Sequence, residues 1–262
     1  MALAVDCSNR RAALSDGHAT FQSRPQRRAS FCDNHARRGC YQPLYSGGMN
    51  ELEIAACRPQ ELPIEHFNPN AVIPYGVTVE HVRAAMNDFI DFLGFLNQQL
   101  ATRDIERLET MLMPANFSSM VGEFVGAALP KHCNGVVRNA FHNGHPDLVP
   151  AGRYPKDSIQ YGEEGIEIKA SRYLKAWQGH NAEDAWLMVF CFEANRQKDE
   201  VNGIAPIPFR FLLACGAQLN KEEDWKFAGR SVTSRRTITA SVTTSGHRKM
   251  VANWIYRAPG LL

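Results

Sequence analysis

The chain has 262 residues, of which 44 % are hydrophobic and 21 % charged, an ordinary balance for a chain that buries one sizeable core. Its longest uninterrupted apolar run, 185–192, falls far short of the roughly 20 residues needed to cross a bilayer, so no membrane-spanning helix is expected. The net charge of +2 conceals three blocks: +4 over residues 1–48, −9 over 49–224 and +7 over 225–262, the last without one acidic residue. An acidic body with a basic terminal block leaves a polyanion partner open.

Residues 1–48 are rich in Arg, Ser, Asn and Gly and have no apolar periodicity able to bury a face, so a disordered basic leader is expected there. The opening MALAVDCSNRR places its arginines after the apolar patch, the wrong order for a secretory signal. Seven cysteines without a CxxC pair fit free thiols in a reducing cytoplasm, the expected location. Zinc binding by Cys32, His35, Cys40 and Cys57 is an alternative that the irregular spacing disfavours. A second alternative makes Met49 the true start of translation, with residues 49–262 forming one domain.

From Thr78, a candidate N-cap, apolar residues recur at three- and four-residue steps: Val79, Val82, Met86, Phe89, Ile90, Leu93, Leu96 and Leu100. The spacing predicts a long amphipathic helix, then a second over 102–113 stopped by Pro114, and a third over 117–129 stopped by Pro130. This helical layer spans 78–130. Strand patterns follow at 147–149, 165–171, 185–193 and 209–215, within a core of about 131–220. The third is apolar on both faces and is expected at the centre of the sheet. Over 236–257 the sequence alternates, and Ser245-Gly246 predicts the turn of a C-terminal β-hairpin within the basic segment 225–262. Helices first and strands after give an α/β or α+β fold around one mixed central sheet flanked by helices.

No GxSxG elbow, HExxH helix or phosphate-binding Gly-Lys-Ser/Thr is present, so no nucleotide cofactor is expected. What stands out is His145-Pro146-Asp147, nineteen intervening residues, then Glu167-Ile168-Lys169. On a strand, Glu167 and Lys169 share one face while Ile166, Ile168 and Ala170 share the other. A solvated surface ion pair explains Glu167 and Lys169 taken alone. Adding Asp147 brings a second carboxylate to a neighbouring strand. Two carboxylates and a backbone carbonyl form a hard-oxygen set that suits Mg²⁺, and a lysine beside them can steer a water and stabilise charge building on a phosphate.

Pro146-Asp147 followed by Glu167-Ile168-Lys169-Ala170-Ser171 resembles the PD-(D/E)XK nuclease superfamily, most of all its type II restriction endonucleases. The resemblance covers 60 to 80 residues around the motif. It implies a restriction-endonuclease-like fold with a four-stranded mixed sheet, and Mg²⁺ held by Asp147, Glu167 and the Ile168 carbonyl. It also implies that Lys169 acts on the attacking water, with Glu123 as an added acidic residue from a preceding helix. The expected activity is Mg²⁺-dependent cleavage of double-stranded DNA, leaving 5′-phosphate and 3′-hydroxyl ends, by a homodimer.

Arg172 and Lys175, beside the motif, together with Arg235, Arg236, Arg248 and Lys249 in the basic segment, are the candidate DNA contacts. Trp225, Trp254 and Tyr256 lie among these cations and suit base stacking. Both sets also read as ordinary surface, with Lys and Arg guarding a sheet edge. The rival functions are a repair or mobile-element nuclease, a non-catalytic DNA-binding protein of the same fold, and a carboxylate-based enzyme acting on a small substrate.

Overall fold

A computed structural model describes residues 51–58, 60–179, 181–227 and 239–261. The leader, with Cys32, His35 and Cys40, and the basic residues Arg235 and Arg236 lie outside the described residues. A short helix α1 (Glu51–Ala56) precedes α2 (Val79–Ala101), a single turn α3 (Leu108–Met111) and α4 (Pro114–His132). The strands are β1 (Val136–Arg138), β2 (Leu148–Pro150), β3 (Ile166–Ser171), β4 (Gln178–Gly179), β5 (Ala185–Glu193), β6 (Arg210–Leu219), β7 (Trp225–Phe227) and β8 (Ala240–Val242). Helix α5 (Thr244–Ala252) and strand β9 (Trp254–Arg257) complete the chain.

Six strands form a mixed sheet in the order β1-β2-β3-β5-β6-β9, in which only β3 and β5 run parallel. Six strands replace the four that the resemblance implied. The smaller sheet β4-β8-β7 is not hydrogen-bonded to it but packs against it through Trp225, Ala240 and Val242. Strand β5 is central and buried along nearly its whole length. Trp186, Met188, Phe190 and Phe192 pack into one core with α2 and α4, while Leu187, Val189 and Cys191 join a second core with Trp177, Trp225, Val242 and Met250. Helices therefore flank the sheet, and the mixed α+β class expected from the sequence is observed.

The long helix starts where its sequence places it. The Thr78 hydroxyl accepts from the His81 N–H, and His81 Nδ1 accepts from the Thr78 N–H, which closes a capping box. Its inward face carries Phe89, which packs edge-on to Phe124, Phe209 and Phe211. Full burial of one such ring contributes roughly 1.5–3 kcal/mol.

Three expected elements change. The helix over 102–113 shrinks to the single turn α3, because Asp104 adopts a positive φ of 54° and Arg107 is extended, its guanidinium bonded to Glu53, Glu109 and Asn195. Satisfying a buried charge network outweighs helix propensity there. Pro114 opens α4 at its first position instead of ending the previous helix, and Pro130 sits inside the last turns of α4. The expected C-terminal hairpin is also replaced. Thr243 caps α5 by accepting from Gly246, so Ser245-Gly246 lies in a first helical turn, and the buried positions Gly246 and Met250 are four apart. What remains of the hairpin is β8, paired with β4 and β7, and β9, paired with β6, so its two strands lie in different sheets. Among the described residues no helix is long and apolar enough to cross a membrane.

Candidate active site

The end of the main sheet where β2 begins is the site's foundation. Strand β2 pairs with β3 at one position only, Leu148 with Ile166, whereas β3 pairs with β5 along its entire length. The two strands therefore part just where the motif carboxylates lie. Asp147 spans the gap with its own side chain: Oδ2 accepts the Ile168 N–H at 2.8 Å. The N–H and C=O of one strand residue face the same side, so the Ile168 carbonyl shares that edge with Asp147.

A cleft of about 420 Å³ opens here between α4, β3 and β4. Asp147, Ile168, Lys169 and Glu123 all line it, together with Arg138 from the end of β1. Helix α4 presents glycines to β3 along the cleft floor: a Cβ at Gly122 would lie 3.6 Å from the Ala170 nitrogen, and one at Gly126 3.7 Å from the Ile168 side chain, both at ordinary contact distance. Glu123 is exposed and paired with the exposed Arg138.

Glu167 sits below Lys169, with its side chain 10 % exposed. Its Oε1 receives the Lys169 ammonium, and its Oε2 lies 3.0 Å from His145 Nδ1. That same nitrogen is 3.2 Å from Glu183 Oε2. Glu167 is thus shared between a face that looks to the cleft and a face that looks to His145.

The electrostatics divide the two motif carboxylates. Burial, and then the nearby charge of Glu167, push the Asp147 carboxyl far above its ordinary value. Burial opposes ionisation of Glu167 as well, but the His145 hydrogen bond and the Lys169 ammonium outweigh it and hold that carboxyl well below its usual range. Lys169 is also buried, which disfavours its charge, yet Glu167 and Asp147 more than compensate and raise its pKa. It is an ammonium at neutral pH, suited to holding a water or an anionic oxygen and not to removing a proton. His145 titrates higher than usual, because its bond to Glu167 overcomes burial.

The expected DNA contacts fare differently. Arg172 turns into the protein: its guanidinium donates to the Ala194 and Asn195 carbonyls at 2.6 and 3.3 Å and lies over the rings of Phe117 and Phe192. It ties the end of β3 to the end of β5, so its guanidinium is already engaged within the protein. Lys249 is exposed but bonded to the fully buried Asp224 at 2.7 Å, so its charge is already matched. Trp225 and Tyr256 are buried, with Trp225 Nε1 donating to the Glu183 carbonyl, and neither offers a stacking surface. Lys175 and Arg248 are exposed. Cys57 is buried at the end of α1, and burial raises its thiol pKa; its partners in the zinc alternative lie outside the described residues.

Sequence reasoning missed His145, Glu183 and Arg138 as members of the site. His145 precedes β2 and Glu183 precedes β5, and both strands begin beside the start of β3. The antiparallel pairing of β2 with β3 and the parallel register of β3 and β5 together bring the two residues to one place. No protein-family profile, no curated protein and no solved structure matches the chain.

Proposed function

We propose that this chain is a Mg²⁺-dependent DNA endonuclease, acting as a type II restriction enzyme and, by analogy, as a homodimer. The observation that carries the reading is the convergence of Asp147, Ile168, Lys169 and Glu123 on one cleft, with Glu167 against Lys169 beneath it. The donor set fits a hard divalent cation. Asp147 is held near another carboxylate and is reluctant to ionise without a cation, and the Ile168 carbonyl supplies a neutral oxygen on the same edge. Asp147, Glu167 and Ile168 would hold the ion. When bound, Mg²⁺ supplies charge neutralisation at the scissile phosphate and acidifies a coordinated water.

The protein's own groups do the rest. The Lys169 ammonium, fixed by Glu167, orients the attacking water and stabilises the negative oxygens of the pentavalent phosphorus. Arg138 stands at the cleft rim, where a guanidinium can engage a backbone phosphate once it leaves Glu123. The hydrolysis leaves a 5′-phosphate and a 3′-hydroxyl.

The test is digestion of unmethylated DNA with and without Mg²⁺, followed by sequencing of the ends. Discrete fragments that vanish with chelator are expected, with activity reduced by at least about 100-fold in Asp147→Ala and Lys169→Ala. Equal cutting by both variants sinks the site assignment. Cleavage confined to nicked, branched or damaged DNA moves the protein to repair, and an absence of salt-dependent DNA binding moves it to small-substrate chemistry.

A further inference from the structure

We infer that His145, Glu167 and Glu183 form a second metal site, for a divalent first-row transition ion, on the side of Glu167 turned away from the cleft. Their ligand atoms all lie within 4.8 Å of one another. Nδ1 of His145 is 3.0 Å from Glu167 Oε2 and 3.2 Å from Glu183 Oε2. Two ligand atoms about 2.1 Å from one ion are about 3.0 Å apart when adjacent in an octahedron and about 3.4 Å apart in a tetrahedron. The two imidazole–carboxylate separations match the edges of such a shell, and the third pair, the two carboxylates, lies within 4.8 Å.

The setting is built and not incidental. The three side chains are 10–14 % exposed and come from three separate segments, each anchored by its backbone. The His145 N–H donates to the Gln160 carbonyl, and its own carbonyl accepts from Gly162. Glu167 lies within the β3–β5 ladder. The Glu183 carbonyl accepts from Trp225 Nε1 at 3.0 Å. Tyr161 places its ring 5.3 Å from that of His145. The Lys169 ammonium already faces Glu167 Oε1, and an ion would add positive charge between the two carboxylates on the His145 side. An imidazole in the donor set favours Mn²⁺ or Zn²⁺ over Mg²⁺, which prefers oxygen donors alone. Glu167 thereby becomes a bridge, with Oε1 toward Lys169 and Oε2 toward this site.

The inference goes beyond the nuclease reading and is measured without DNA. The full chain is titrated with Mn²⁺ and with Zn²⁺ by calorimetry, beside His145→Ala, Glu183→Gln and Asp147→Asn. Binding weakened at least about tenfold in His145→Ala and Glu183→Gln, yet retained in Asp147→Asn, is expected. No binding to the wild type, or loss in Asp147→Asn alone, overturns the site. Should His145→Ala or Glu183→Gln unfold, pulsed electron paramagnetic resonance of Mn²⁺ on the wild type decides. Nitrogen coupling from one imidazole supports the site, and its absence overturns it. Failure to cut DNA leaves these titrations unaffected, so the two readings fail separately.

Discussion

Asp147 shows what one buried carboxylate can report. Its pKa in the folded protein is raised to about 7, so the native state takes up its proton more readily than the unfolded chain does. The protein is therefore spared the cost of ionising this group at acid pH, and stability is lost as pH rises from the group's ordinary value of 3.8 to about 7, above which the loss levels off. Glu167, displaced the other way, changes its contribution only far into acid. Asp147→Asn keeps an oxygen to accept the Ile168 N–H. In metal-free buffer it should raise Tm by roughly 3 °C or more at about pH 8.5, by less at each step below about pH 7, and by little only near about pH 3.5, read by calorimetry. Arg172 gives the opposite kind of test. Arg172→Ala removes two hydrogen bonds to carbonyls and its stacking over two rings, and it should cost roughly 2 kcal/mol in urea unfolding. DNA affinity should stay within about twofold of the wild type when measured where both are folded. These two residues also mark what the sequence could convey. A carboxylate, a gap and an E-x-K strand expose the cleft residues through spacing alone, but nothing in the residue types separates an arginine that faces solvent from one drawn inward over Phe117 and Phe192.

At the scale of elements, legibility follows period. Helix α2 is readable because burial repeats at helical spacing along it, and β5 because an unbroken apolar run marks a strand covered on both faces. Helix α5 is not, since its nine residues bury only Gly246 and Met250, and the surrounding Thr and Val suggest a strand. The single turn α3 escapes because a buried ion network, formed with partners up to a hundred residues away, decides its shape. Glycine positions test the packing between elements. In α4, Gly122 and Gly126 leave room for a methyl at ordinary van der Waals distance from β3. Gly126→Ala should therefore hold or raise stability, by up to about 1 kcal/mol from helix propensity. Gly216 in β6 has no such room, since a Cβ would lie 2.3 Å from the Trp186 ring. Gly216→Ala should lower stability by roughly 2 kcal/mol in the same unfolding assay.

For the molecule as a whole, the uneven charge acquires a structural meaning. The proposed metal cleft belongs to the acidic body, while the positive charge left to draw a polyanion is concentrated near the C-terminus. If Arg235, Arg236 and Arg248 bind phosphates, neutralising all three should flatten the plot of log affinity against log salt by about 2.7, near 0.9 for each phosphate no longer neutralised. Fluorescence anisotropy over a salt series measures it. Among the described residues both cores are built from positions beyond Glu61, so a chain beginning at Met49 should unfold within about 2 °C of the full-length protein and retain any metal-dependent cleavage.

The seam between the two ends of the described chain adds a kinetic consequence. Asn68 bonds the Trp254 carbonyl, Val72 and Asn253 bond each other in both directions, and Phe67 bridges to Tyr256. Partners more than 180 residues apart must meet before that seam can close. Strand β9 also covers β6, so a nascent chain that has not yet reached Trp254 leaves that edge unpaired and prone to join other chains. Biosynthesis is consequently a race between completion and aggregation. Slowing the final codons, or truncating before Trp254, should move the product from the soluble fraction to inclusion bodies even though every residue of the cleft has already been made.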